Sequence, residues 1–444
     1  MKNIISTVTL SAVAFVSALA QNPAPAPVQS ESIIIMNGTA HIGNGKVIEN
    51  SVIGFENGKI TLIGDATVIK LQEGKYKKKI NAFGKHVYPG FINCNSSLGL
   101  TEIDLVRSTR DNYEVGDLNP NVRSIIAYNT DSKITPTVRS NGVLMEQIVP
   151  SGGTISGQSS VVVLDAWNWE DASYLPTDSA GQPLRQAGKT DEGIHLNWPQ
   201  MYIAKYPGAD PEDKQRDRMN KEMNNIEQLF SEAKAYAMSA PAEKNLRLES
   251  MKGLFNGSKK LYVHCGYVKE IESAVLFSKK YGVKMVLVDG QDAWRVSSLL
   301  KENDIPVILG RVHSLPPRED DDIDLPYKLP YILKQAGVNY ALSIDGSWQN
   351  RNLAFMAGTS AGYGLSKEEA LMSITSAPAK ILGIDNTVGT LETGKDATLF
   401  ISSGDALDMR TNNVENAFIG GREINLDNVQ KQLNAKYRKK YGLK

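Results

Sequence analysis

The chain has 444 residues, 41 % of them hydrophobic and 22 % charged, which is globular usage and excludes a disordered or low-complexity protein. That length exceeds one ordinary domain, so a large domain with a smaller companion is expected. Lys plus Arg and Asp plus Glu both number 49, and this balance excludes a general attraction to nucleic acid or to anionic membranes.

Met1 to Ala20 carries Lys2, an apolar stretch from Val8 to Leu19 and the small-residue signature Ala18-Leu19-Ala20, so it reads as a secretory signal. The apolar run is shorter than the roughly 20 residues of a membrane span. No later stretch is long and apolar enough either, so an exported chain, periplasmic or extracellular and without membrane insertion, is expected. Residues 21–31, Pro/Ala-rich and without a core-forming pattern, read as a tether. Residues 32–88 read as β. Val52 to Phe55 and Ile60 to Ile63 flank Asn57-Gly58, a strong hairpin signal because both turn positions take positive φ.

After Pro89-Gly90 the pattern changes to strands alternating with helical stretches, which predicts a parallel sheet. Candidate buried strands are Phe91–Asn95, Val143–Val149, Ser160–Leu164, Leu261–Cys265, Lys284–Val288, Pro306–Leu309 and Tyr340–Ile344. A closed (β/α)₈ barrel needs eight strands, and the missing one is expected between Asp165 and Gly257. That stretch also holds a polar helix with Met219, Met223, Ile226, Phe230 and Ala233 on one face. Ser366-Lys367-Glu368-Glu369 is a capping box, expected to open a helix running to about Leu382. Residues 385–430 turn β again, and 431–444 form a basic, solvated tail. The expected fold class is therefore α/β: a (β/α)₈ barrel over 89–384, with a small β-sandwich composed of both chain ends, 32–88 and 385–430.

Several stretches carry a family resemblance: Val87-Tyr-Pro-Gly-Phe-Ile-Asn, the Gly-Gly-x-x-x-Gly-Gln run at Gly152 to Gln158, Ser376-Ala-Pro-Ala-Lys-Ile-Leu-Gly-Ile, and Val388-Gly-Thr-Leu-Glu-Thr-Gly-Lys-Asp-Ala-Thr-Leu. Together they resemble the amidohydrolase superfamily, on its imidazolonepropionase-like branch, over roughly residues 32–425. The resemblance implies hydrolysis of non-peptide or cyclic amide C–N bonds by water activated on one or two divalent metals, zinc foremost, at the barrel mouth. Zinc lowers the pKa of bound water from 15.7 to about 7, removing roughly 12 kcal/mol of deprotonation cost.

At the family's first-strand His-x-His this chain has Asn95 and Ser97, preceded by Asn93 where the family has an acid. Uncharged amide and hydroxyl groups are poor zinc ligands. The resemblance assigns His264, at the end of the fifth strand, and Asp345, at the end of the eighth, to the metal. Asp345 would also be the general base, with His313 or Asp289, the latter standing where the family's sixth strand often has a histidine, as a further ligand. Asn95, His313 and the Gly152-Gly153 loop are the candidate substrate contacts. For His264 a mouth histidine bonded to neighbours, for Asp345 a turn-capping carboxylate, for His313 a loop histidine and for Gly152-Gly153 tight turn packing remain open. His41, His86 and His195 have no supporting context.

If Asn93, Asn95 and Ser97 face the barrel axis, strand alternation turns Cys94 outward; Cys265 turns outward if His264 faces the mouth. These thiols lie on opposite strands, and no disulfide is expected. Three readings stand: a hydrolase running on one metal or on a reduced site, a non-catalytic protein binding a small molecule, and a subunit serving an intact relative. A homo-oligomer is compatible with each.

Overall fold

The computed structural model describes residues 24–178, 182–183, 188–239 and 243–443. The signal segment lies outside them. Strands Val47–Glu56 and Lys59–Asp65 form the predicted hairpin, with Asn57 at φ 51° and Gly58 at φ 78° in its turn. Strand Leu399–Ser402 pairs antiparallel with His86–Pro89 and so joins the two chain ends in one eight-stranded sheet. Its core draws on both ends: the Phe55 and Phe418 rings meet edge-on at 5.1 Å. Residues 24–31, expected as a tether, are held in place. Ala26 N donates to Asp165 Oδ2 at 2.9 Å, and Gly58 N donates to Gln29 Oε1 at 2.7 Å.

The barrel strands are Phe91–Ser96, Val143–Ile148, Ile155–Val163, Gly193–Asn197, Lys260–Cys265, Met285–Asp289, Val307–Leu309 and Tyr340–Leu342, hydrogen-bonded in that order. The missing strand is Gly193–Asn197, inside the stretch expected to hold it. The sheet is not wholly parallel, however. The third strand runs antiparallel to both neighbours. The reason is local: only residues 149–154 separate it from the second strand, too few for a crossover, and Gly152 (φ 84°) and Gly153 (φ 65°) make the turn. The chain then descends to the composite sheet, where the Tyr174 hydroxyl donates to Asp396 Oδ2 at 2.8 Å. Farther on, helix Glu212–Ala237 buries Ile226, Phe230 and Ala233, while the helix expected from the capping box breaks into Lys367–Met372 and Ser376–Leu382. The basic tail is helical over Val429–Lys440 and buries none of its residues.

Closure between first and eighth strands uses no continuous ladder. Lower down, the Ser373 and Ile374 carbonyls accept from Leu342 N and Ile92 N. Above them the buried Asn93 side chain stands in for a strand: its Nδ2 donates to Ile344 O at 3.0 Å and its Oδ1 accepts from Ile344 N at 2.9 Å. An ionised carboxylate could accept but not donate, and would face the Ile344 carbonyl unpaired. Asn93→Asp is therefore expected to cost about 1–3 kcal/mol, read as a lower urea midpoint; an unchanged midpoint would remove Asn93 from the closure.

Ile92, Cys94, Met145, Val161, Tyr262, Val286, Val288, Ile308 and Ala341 form one buried cluster drawn from seven strands, which is the barrel interior. Cys94 thus points inward, not outward as alternation from Asn93 implied. Asn93 is turned to the seam, and the left-handed Asn95 (φ 53°) then breaks the alternation. Cys265 packs outward with Ile271 and Ala274, as expected, and both thiols are free.

Candidate ligand site at the barrel mouth

Two groups of chemistry-bearing side chains stand at the upper end of the barrel. The first lies inside it. His264 on the fifth strand meets His195 on the fourth, Nε2 to Nδ1 at 2.8 Å. The His195 ring stacks parallel on Tyr262 with centroids 4.7 Å apart. The Tyr262 hydroxyl donates to Glu192 Oε2 at 3.0 Å, and Glu192 Oε1 accepts from Gln147 Nε2 and Ser159 Oγ at 2.6 and 2.8 Å. Burial pushes His264 down to about 4 and His195 well below its usual value, the latter helped by its neighbour. Both imidazoles are therefore neutral near pH 7, joined by one hydrogen bond.

The second group lines a cavity of about 220 Å³ at the ends of the sixth, seventh and eighth strands, with Asp289, Arg311 and Asp345 among mainly apolar walls. Asp289 ends its strand at φ 77°, a backbone region that side chains other than glycine enter at a cost and that recurs at functional sites. Burial first, and then the negative charge of Asp345, pushes its carboxyl up to about 6. Asp345 is two-thirds exposed and lies 3.8 Å from Arg311 Nε.

The expected substrate contacts scatter. His313 lies on the loop after the seventh strand, but its Nε2 bonds Thr359 Oγ1 at 2.7 Å. Gly153 O accepts from Asn197 Nδ2 at 2.7 Å, and a Cβ on Gly153 would meet the Asp117 carbonyl at 2.9 Å, so the glycine loop is closed by turn packing. Asn95 gives its backbone N–H to Gln147 Oε1 at 3.3 Å. Neither His313, the glycines nor Asn95 lines the cavity of Asp289 and Asp345. Sequence reasoning passed over His195, Glu192 and Arg311. Alternation along Gly193–Asn197 would have placed His195 inward beside Tyr262, had that strand been located.

The three expected metal ligands are not brought to one point. Asp289 and Asp345 share the cavity, but His264 does not line it and turns its Nε2 to His195. Among the described residues no three His, Cys, Asp or Glu side chains could hold a metal ion. A zinc site takes three protein ligands of that kind. The donor set here supplies two carboxylates, one of them beside a guanidinium, and on the first strand an amide and a hydroxyl. It does not fit the family's cation.

An eight-stranded barrel with an appended sheet built from both chain ends, and with its polar side chains gathered at the strand ends, is the architecture of metal-dependent hydrolases of the amidohydrolase type. A profile described as "Amidohydrolase family" matches residues 229–424. Imidazolonepropionase of Rhizobium rhizogenes is 22 % identical over 387 residues, covering 81 % of this chain and 88 % of that protein. The crystal structure of an amidohydrolase from Thermotoga maritima MSB8 matches with a TM-score of 0.74 at 22 % identity, over 88 % of this chain and 99 % of that one. Molinate hydrolase matches more loosely, with a TM-score of 0.53 at 14 % identity over 89 % and 95 %. The chain thus shares the fold of these proteins and is similar in sequence to the amidohydrolase family and to imidazolonepropionase.

Proposed function

We propose that this chain is a ligand-binding member of the superfamily, exported by its first 20 residues, whose mouth cavity takes a small molecule without metal-dependent turnover. One observation carries the reading: the fifth-strand histidine turns its Nε2 to a second imidazole and does not line the cavity of Asp289 and Asp345. At and just after the end of the first strand the chain offers only Asn95 and Ser97, and Asp345 stands beside Arg311. The cavity itself persists, and a concave, largely apolar site with a few convergent polar groups is what small-molecule binding requires.

The test is the metal content of the mature protein after growth with added zinc, manganese and iron. Well under one equivalent is expected, with no change in His264→Ala. Near-stoichiometric metal that disappears when His264 and Asp345 are both replaced by alanine would overturn the reading.

A second reading, a hydrolase of C–N bonds with Asp345 as general base, is favoured by the carboxyl pair. Burial and the nearby Asp345 charge push Asp289 up to about 6, and Asp345 is the exposed member of the pair, an arrangement in which two carboxyls can divide acid and base roles. Turnover of cyclic amides or acylated amines, abolished by Asp345→Asn, would establish it in place of the first.

A further inference from the structure

The mouth cavity carries a charge that nothing among the described residues answers. Arg311 lies toward Asp345, at 3.8 Å. Asp289 has neither a hydrogen bond nor an ion pair to its carboxylate among the described residues, although its surroundings are mostly enclosed. A carboxylate withdrawn from water and left without a partner is costly. Its left-handed backbone at the strand end adds to that cost. Gly310, just after the seventh strand, lies beside it: a Cβ there would stand 3.5 Å from Asp289 Oδ1, so the carboxylate lies directly against the cavity's backbone wall.

The walls say what kind of cation answers it. Leu309, Val312, Leu325 and Leu329 line the cavity, with Gln291 and Ser314 as its other polar side chains. A hard divalent ion takes six or more oxygen ligands. Of the two carboxylates here one faces Arg311, leaving Asp289 with Gln291 and Ser314 as a sparse set, whereas the apolar walls can cover a carbon skeleton. At about 220 Å³ the space is smaller than the roughly 300–1,000 Å³ of drug-sized sites. It suits a body of a few carbons with one ammonium head.

From this geometry we infer that the ligand is a small aliphatic amine in its ammonium form, seated with its nitrogen on Asp289 and its carbon chain along the leucines. The inference rests on the proposed function only in taking the mouth cavity as the binding site.

Titration calorimetry on the full mature chain, with n-hexylammonium, hexanoate, 1-hexanol and calcium as separate probes, tests it. Saturable binding of hexylammonium is expected, at least tenfold tighter than hexanoate or hexanol, and lost by at least tenfold in Asp289→Asn. Asp345→Asn, at the exposed rim, is the second variant should the first fail to fold, and it should weaken binding less than the loss of Asp289 but measurably. Equal binding of hexanoate or hexanol, calcium binding that competes with the amine, unaltered affinity in both variants, or no binding of any probe would each overturn the inference. Failure of the ligand-binding reading looks different: bound metal or turnover with amine affinity intact removes that reading and leaves the ligand class standing.

Discussion

Asp165→Ala is expected to destabilise the fold by about 3–5 kcal/mol, the range for removing one partner from a buried ion pair. The Asp165 side chain is 1 % exposed and that of Arg139 is 5 % exposed. Arg139 Nη1 donates to Asp165 Oδ1 at 2.7 Å, Arg422 Nη1 to Oδ2 at 3.2 Å, and Ala26 N to the same oxygen at 2.9 Å. One carboxylate thus ties the N-terminal segment, the end of the third barrel strand, helix Thr135–Arg139 and the last strand of the sheet. Without it two guanidiniums face each other, Arg139 with no exit to water. Guanidinium denaturation of both proteins measures the difference, and a loss under 1 kcal/mol would show that Arg139 finds another partner. Asp165→Asn, which keeps the shape and two acceptor lone pairs, should fall between.

Glu146 should make stability depend on pH in an unusual direction. It is fully buried between the first two barrel strands and residues 348–352, accepting from Ser96 Oγ and from Asn350 Nδ2 at 3.0 Å, with no cation beside it among the described residues. Burial outweighs these hydrogen bonds and pushes its carboxyl from the ordinary 4.5 up to about 8. Between those values the folded chain keeps a proton that the unfolded chain has released. The contribution of Glu146 to stability is therefore complete below about pH 4.5 and is lost as pH rises to about 8, at up to about 1.4 kcal/mol per unit. Glu146→Gln removes the ionisation and should flatten the profile, leaving the variant the more stable protein at pH 8.5 and close to the original at pH 5. Urea midpoints at the two pH values decide it; parallel profiles for the two proteins would mean that Glu146 is ionised in the fold.

Much of the architecture was legible because it is written in local patterns. Asn57-Gly58 fixed a turn through its backbone demands, the apolar runs marked seven of eight strands, and the capping box at Ser366 and Glu369 formed as expected. The one left over, the fourth strand Gly193–Asn197, was hidden because two of its five residues, His195 and Asn197, are polar and point into other polar groups, so it lacks the apolar run of a buried strand. The site was only half legible. Loss of the first-strand ligands was plain in Asn95 and Ser97. The partner of His264 was not, since it sits 69 residues away on the hidden strand. Parity arguments also failed at one residue: Asn93 serves the seam, and that single diversion reversed the expected side for Cys94.

The reversed third strand changes what the following segment can do. In an all-parallel barrel the chain leaves each strand at the catalytic end, and every such exit is raw material for new specificity. Here one exit opens at the opposite pole, where Tyr174 reaches Thr387 and Asp396 and Asp165 gathers Arg139 and Arg422. That stretch is a fastening between the two halves of the molecule. These bonds restrain hinging of the barrel against its companion sheet.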